Sequence, residues 1–116
     1  MHFDLVDLNL FRHVVEAGTI TRGAERAHLA LAAASTRIRN LEEAVGAALL
    51  VRQRQGVTPT QAGRTLLAHA RAILRQTERL REDLGAYGGG LAGQIRLFSN
   101  TNALTEFLPE ALSSFL

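Results

Sequence analysis

Seven arginines fall between Thr19 and Arg64 (Arg22, Arg26, Arg37, Arg39, Arg52, Arg54 and Arg64), against three glutamates, Glu25, Glu42 and Glu43. A guanidinium is a permanently charged, planar fork of donors that binds phosphate oxygens, or the O6/N7 edge of guanine, through two parallel hydrogen bonds. The formal net charge of the whole chain is only +2, so the positive excess is local to this segment, as an electrostatic footprint for nucleic acid would be. All 13 basic residues are Arg, which the codon usage of a GC-rich genome explains as readily as phosphate recognition does. Placement along the chain, not the total, therefore carries the argument.

Other chemistries find little support. His2, His13, His28 and His69 stand at no metal-ligand spacing, and the absence of cysteine removes thiolate sites and disulfides. No Ser-His-Asp order or paired-carboxylate motif is present. Gly88-Gly89-Gly90 lacks the flanking strand and helix of a phosphate cradle. These readings point away from an enzyme and from a resident metal or cofactor. The N-terminus lacks the basic-then-apolar run of a signal peptide, and no apolar stretch approaches about 18 residues, so neither export nor a membrane span is expected.

The elements that must position the arginines can be read from periodicity and caps. Leu5, Leu8, Phe11, Val14 and Val15 recur at helical steps, with Asp4 as N-cap and Gly18 as stop. A short helix over 19–27 follows, capped by Thr19 or Thr21, with Ile20, Ala24 and Ala27 inward. A third helix spans Ala30 to Val45, burying Ala33, Ala34, Ile38, Leu41 and Val45, and Gly46 ends it. Leu49-Leu50-Val51 and Val57-Thr58-Pro59 flank the polar run Arg52-Gln53-Arg54-Gln55-Gly56, a hairpin pattern. Thr60 caps a long helix to about Gly85, in which Leu66, Ala70, Ile73, Thr77, Leu80 and Leu84 form a heptad seam. Residues 85–93 hold five glycines, as a hinge would. Gln94 to Ser99 alternates like a strand, and Leu104 to Leu116 carries a second apolar pattern that one strand and one helix cannot enclose.

Two short helices joined tightly, Ile20 to Arg39, with small residues Gly23, Ala24 and Ala27 at their crossing, fit a helix-turn-helix whose second helix enters a major groove. Two ordinary core helices would look the same. The arginine-bearing hairpin that follows favours the first reading, since a wing can lie along a minor groove that attracts Arg.

The ordered set of motifs resembles the LysR-type transcription regulators. It comprises Leu8 and Phe11, Gly18-Thr19-Ile20-Thr21-Arg22-Gly23-Ala24, then Ser35, Ile38 and Arg39, then Leu41-Glu42-Glu43-Ala44-Val45-Gly46. Leu50, Arg52, Gly56-Val57 and Thr60-Gln61-Ala62-Gly63 complete it. The likeness runs collinearly from Leu5 to Leu84 and reaches Leu108-Pro109, Leu112 and Phe115. It implies a mainly α fold. A winged helix-turn-helix of three helices and a β-hairpin occupies 1–59, a dimerisation helix 60–84, a hinge 85–93, and the start of an effector-binding domain 94–116.

The resemblance further implies a cytoplasmic homodimer, able to tetramerise at full length, that binds double-stranded DNA. A small-molecule inducer would be sensed only by effector-domain residues beyond this chain. The DNA-facing residues would be Thr21, Arg22, Leu31, Ala32, Ser35, Thr36, Arg37 and Arg39, with Arg52, Gln53, Arg54 and Gln55 on the wing. Arg26 reads instead as a solvated surface charge. About five arginine–phosphate contacts per protomer would give a log–log salt slope of order −9 for a dimer.

This sequence departs from the family pattern where the recognition helix usually opens Ser-Gln-Pro, here Ala30-Leu31-Ala32. Loss of the capping hydroxyl costs roughly 1 kcal/mol of local stability. Leu31 cannot hydrogen-bond a base edge, so it either packs internally or contacts thymine methyls together with Ala32. The seam of the long helix packs within its own chain or, preferably, against a second copy. Two rivals stand beside this reading: a winged-helix regulator of the molybdate-responsive type, and a winged-helix module used only for protein contacts.

Overall fold

The computed structural model describes residues 2–88. The expected strand at 94–99, the apolar pattern from Leu104 to Leu116 and most of the glycine hinge lie outside the described residues. Four helices and one hairpin follow in the order α1 (Leu5–Ala17), α2 (Ile20–Arg26), α3 (Leu31–Val45), β1 (Leu50–Gln53), β2 (Gly56–Pro59) and α4 (Gln61–Gly85). No helix among them is long and apolar enough to cross a membrane.

Each boundary has a local cause. Asp4 and Asp7 form a reciprocal capping box, each carboxylate accepting the other's backbone N–H at 3.0–3.1 Å. Gly18 closes α1, and Gly46 closes α3, in the left-handed conformation. The hydroxyl of Thr19, not Thr21, accepts from Arg22 N–H at 3.0 Å and caps α2. His28, at φ +60°, makes the tight turn into α3. Ala30 offers α3 no side-chain cap.

α1 is the centre of the domain and contacts α2, α3, α4 and β2. That is why Val6 and Leu10 are buried beside the expected Leu8, Phe11 and Val14, for a helix covered on several sides is not limited to one apolar stripe. Ala34, Ile38 and Leu41 of α3, Leu49 and Leu50 before and in β1, and Leu67 of α4 complete the core. Ala33 was expected inside but is exposed, because it lies one position off the Ala34–Ile38–Leu41 stripe.

The hairpin pairs Leu50 with Pro59, Val51 with Thr58, Arg52 with Val57 and Gln53 with Gly56. Arg52 and Gln53 thus belong to β1 rather than to the turn, which is Arg54-Gln55 alone. β2 is fastened to the α1–α2 turn: Val57 N–H donates to the Gly18 carbonyl at 2.8 Å, and a Cβ on Gly56 would collide with that same oxygen.

α4 begins under three ties to the segment before β1. Thr60 Oγ1 accepts from Gly63 N–H at 3.0 Å and donates to the Ala48 carbonyl at 2.7 Å, while Thr60 N–H donates to the Leu49 carbonyl at 3.0 Å. Further along, Arg71 pairs with Glu16 of α1 at 3.1 Å. No residue of α4 is fully buried beyond Ala70.

His13 adds a pH dependence. Burial first, then the neighbouring Arg12 and the more distant Arg26 and His28, lower its pKa against the opposing pull of Glu16. The contact from Arg12 Nη2 to His13 Nε2 at 3.2 Å needs the neutral ring, since an imidazolium has no lone pair to accept. A histidine whose folded pKa lies below its unfolded value contributes stability above the unfolded pKa, and loses it as pH falls through the folded one. Melting temperature should therefore decline between about pH 7 and about pH 5. His13→Gln should flatten that decline, as measured by melts across the range; an identical decline in the variant would remove His13 as its source.

Candidate nucleic-acid interface

α2 and α3 meet where Gly23 and Ala24 are buried and Ala27 half-buried. A Cβ on Gly23 would stand 2.5 Å from Val14 Cα, so α2 rides directly on the backbone of α1. This close seat fixes where α3 leaves the domain. Of the expected reading residues, Thr21, Arg22, Leu31, Ala32, Thr36 and Arg39 are exposed, and Ser35 is half-buried. Asn40, two positions beyond Ile38 on the outer side of α3, joins the exposed set.

Arg37 has a different position. Its Nη1 donates to Asp7 Oδ1 at 2.8 Å and lies 3.5 Å from Asp4 Oδ1, so the guanidinium ties α3 to the capping box of α1. In the free chain, therefore, the guanidinium expected to face phosphate is held by α1. Asp7 shows why the tie forms. Burial raises its pKa and the nearby Asp4 raises it further, while the Arg37 hydrogen bond opposes both. The pair compensates an otherwise uncovered acid more than it adds net stability.

Arg22, Arg39, Arg52 and Arg54 remain exposed. Among the described residues none of these four guanidinium groups joins an ion pair. Gln53 and Gln55 are exposed beside them. Docking of Gly56 on Gly18 and Thr19 sets the Arg54-Gln55 turn close to the first turn of α2, which carries Thr21 and Arg22.

Glu42 is the positioning residue that sequence reasoning missed. Its neighbours Asn40 and Glu43 are exposed on α3. Glu42 Oε2 instead accepts from Leu49 N–H at 2.8 Å and Leu50 N–H at 3.3 Å, holding the start of the wing against the end of α3. No linear signal marks it, because the tie forms only once the chain has turned after Gly46 and brought Leu49 and Leu50 back to the end of α3.

On α4 the expected seam divides. Ala70 is fully buried within its own chain and leaves the set available to a partner. Ile73 (41% exposed) and Leu80 (53%) stand out in solvent, flanked by half-buried Leu66, Thr77 and Leu84. The Thr77 hydroxyl donates to the Ile73 carbonyl at 2.9 Å and so turns inward on its own helix. Among the described residues no three His, Asp or Glu side chains gather as a metal site would require.

Comparison with known proteins places this geometry. Residues 5–64 match the family described as bacterial regulatory helix-turn-helix protein, lysR family. The nitrogen assimilation regulatory protein nac of Escherichia coli is 41% identical over 90 residues, covering 78% of this chain and 30% of that protein. The transcriptional activator IlvY of Salmonella typhimurium is 36% identical over 112 residues, 97% of this chain and 38% of that one. The chain thus spans about a third of the length of these curated relatives, which are transcriptional regulators and not enzymes. Among solved structures, the DNA-binding domain of CbnR in complex with DNA matches with a TM-score of 0.68 at 30% identity, over 73% of this chain and 98% of that one. The BenM DNA-binding domain on benA site 1 DNA matches with a TM-score of 0.69 at 28% identity, over 74% and 100%. Both support the mainly α winged helix-turn-helix fold.

Proposed function

The chain belongs to the lysR family of bacterial regulatory helix-turn-helix proteins, and from that premise we propose that it is a cytoplasmic, dimeric, sequence-specific regulator of transcription that reads an imperfect palindrome in duplex DNA. Residues 1–59 form the DNA-binding domain and 60–84 the dimerisation helix. α3 enters the major groove, with Thr36 and Arg39 toward the duplex and Ser35 at its margin. Thr21 and Arg22 reach the backbone from α2, and Arg52, Gln53, Arg54 and Gln55 lie along the flanking groove. The observation that carries this reading is that Arg22 on α2, Arg39 on α3 and Arg52 and Arg54 on the wing are exposed and join no ion pair among the described residues. Such groups neutralise phosphates and release counterions.

Selection of bound duplexes from a random pool tests the proposal. We expect enrichment of a two-fold-related pair of half-sites, spaced by about 34 Å or a multiple of it. No enrichment would refute DNA reading and leave the domain as a protein-contact module.

Dimerisation is supported by Ile73 and Leu80, two large apolar side chains at heptad spacing on the part of α4 that its own domain does not cover. Leu80→Glu places a carboxylate in the proposed interface and should weaken the dimer on the order of 100-fold or more. The melting temperature of the winged domain should be almost untouched. Light scattering across a dilution series reads the first and calorimetry the second. An unchanged association constant would put the interface elsewhere.

A further inference from the structure

α3 opens with an apolar tip whose exposure the fold does not require. Leu31 is 50% exposed, Ala32 and Ala33 are exposed, and the first buried position of the helix is Ala34. Leu31 therefore does not pack within its own chain as a core residue. It does not cap the helix either, since Ala30 precedes it without a side-chain hydrogen bond. Beyond the tip the outer face turns polar, with Thr36, Arg39 and Asn40 exposed. Arg39 and Arg22 carry exposed charge on α3 and on α2, so the apolar surface belongs to a region suited to a polyanion rather than to an apolar protein partner.

We propose that Leu31, with Ala32 and Ala33, is a contact surface for the 5-methyl groups of thymine, and that Leu31 determines specificity by selecting thymine where the tip of α3 meets the major groove. This rests on the DNA-reading assignment above. In the major groove the thymine C5-methyl is the one apolar group that any base offers, while cytosine and adenine present amino donors and guanine two acceptors. A leucine set against a donor or acceptor removes water from it and returns no hydrogen bond, which penalises those bases. Set against a methyl, it buries apolar surface on both sides. One buried methyl corresponds to about fourfold in affinity, and the two half-sites of a dimer to about fifteenfold.

The test uses the full chain and duplexes it enriches from a random pool, resynthesised with deoxyuridine replacing each thymine in turn. This change removes the methyl and leaves base pairing intact. Fluorescence anisotropy should show one or two thymine positions per half-site whose demethylation weakens binding about fourfold each. Leu31→Ala, on an exposed helical position, keeps the fold and should bind more weakly while becoming indifferent to deoxyuridine at those positions. Leu31→Gln should shift selection toward adenine there, because a carboxamide pairs with adenine N6 and N7. Deoxyuridine that costs nothing at any position overturns the proposal, with DNA reading intact. Equal deoxyuridine losses in the native chain and in Leu31→Ala also overturn it, by assigning the methyl contact to another residue. Failure to enrich any duplex overturns the DNA-reading assignment and this proposal together.

Discussion

Gly63→Ala is expected to destabilise the domain, although the same change in an exposed helix stabilises it by about 1 kcal/mol. Gly63 lies in the first turn of α4, and a Cβ there would collide with the Leu49 carbonyl oxygen. That oxygen cannot retreat, because it already accepts from Thr60 N–H at 3.0 Å and its neighbour Ala48 accepts from the Thr60 hydroxyl at 2.7 Å. Overpacking against fixed atoms costs about 1–3 kcal/mol and occasionally more. Here the contact is with backbone, so the upper part of that range applies and exceeds the propensity gain. A net loss of about 2 kcal/mol lowers the melting temperature by roughly 10 °C for a domain of this size. Gly23→Ala should change stability in the same direction, since its Cβ would meet Val14 Cα and Cγ2 at 2.5 Å and Val14 N at 2.7 Å. Gly88→Ala, with nothing among the described residues within 4 Å of the added carbon, should leave it unchanged. A melting temperature for Gly63→Ala at or above that of the native chain would mean that α4 does not start where its cap places it.

The contrast between these glycines shows which features of the fold can be read from residues alone. Asp4, Thr19, Thr60 and Gly46 announce helix ends through interactions that span three or four residues, so a linear reading finds them. Gly23 and Gly63 are ordinary helix residues in a linear reading. Their necessity comes from Val14 and from Leu49, which the chain brings near only after folding. The same distinction governs the site. Thr36, Arg39, Arg52 and Arg54 could be read as outward-facing because the apolar stripe of α3 and the hairpin pattern leave them no inward place. Arg37 could not, because its partners Asp4 and Asp7 lie 33 and 30 residues earlier. Nor could the tie from Glu42 to Leu49 and Leu50, which depends on how the chain turns after Gly46. On α4, Ala70 fits a heptad seam equally well whether its neighbour is a partner or its own domain, and only packing decides.

The pairing of Arg37 with Asp7, if kept on DNA, changes the expected electrostatics of binding. With Arg22, Arg39, Arg52 and Arg54 as phosphate contacts, a dimer makes about eight, and the log–log dependence of affinity on salt has a slope of about −7 rather than −9. Raising salt from about 50 mM to about 200 mM should then weaken binding by roughly four orders of magnitude. Variants separate the roles. Arg39→Ala or Arg54→Ala removes one contact per protomer and should make the slope shallower by about 2 for the dimer, without altering the fold. Arg37→Gln should leave the slope unchanged. It deprives a mostly buried Asp7 of its opposing charge, so the pKa of Asp7 rises further and the capping box of α1 weakens. The variant should lose about 1–3 kcal/mol of stability, the cost of leaving a buried acceptor without its partner. Asp7→Asn combined with Arg37→Gln replaces the ion pair with neutral hydrogen-bonding groups and should recover part of that loss, which checks the pairing in the free protein, while the salt slope alone reads contact with phosphate. Anisotropy titrations at four or five salt concentrations, with melts of the same variants, distinguish the two assignments. A slope that becomes shallower in Arg37→Gln by as much as in Arg54→Ala would return Arg37 to the DNA and leave its pairing with Asp7 as a resting contact of the free protein.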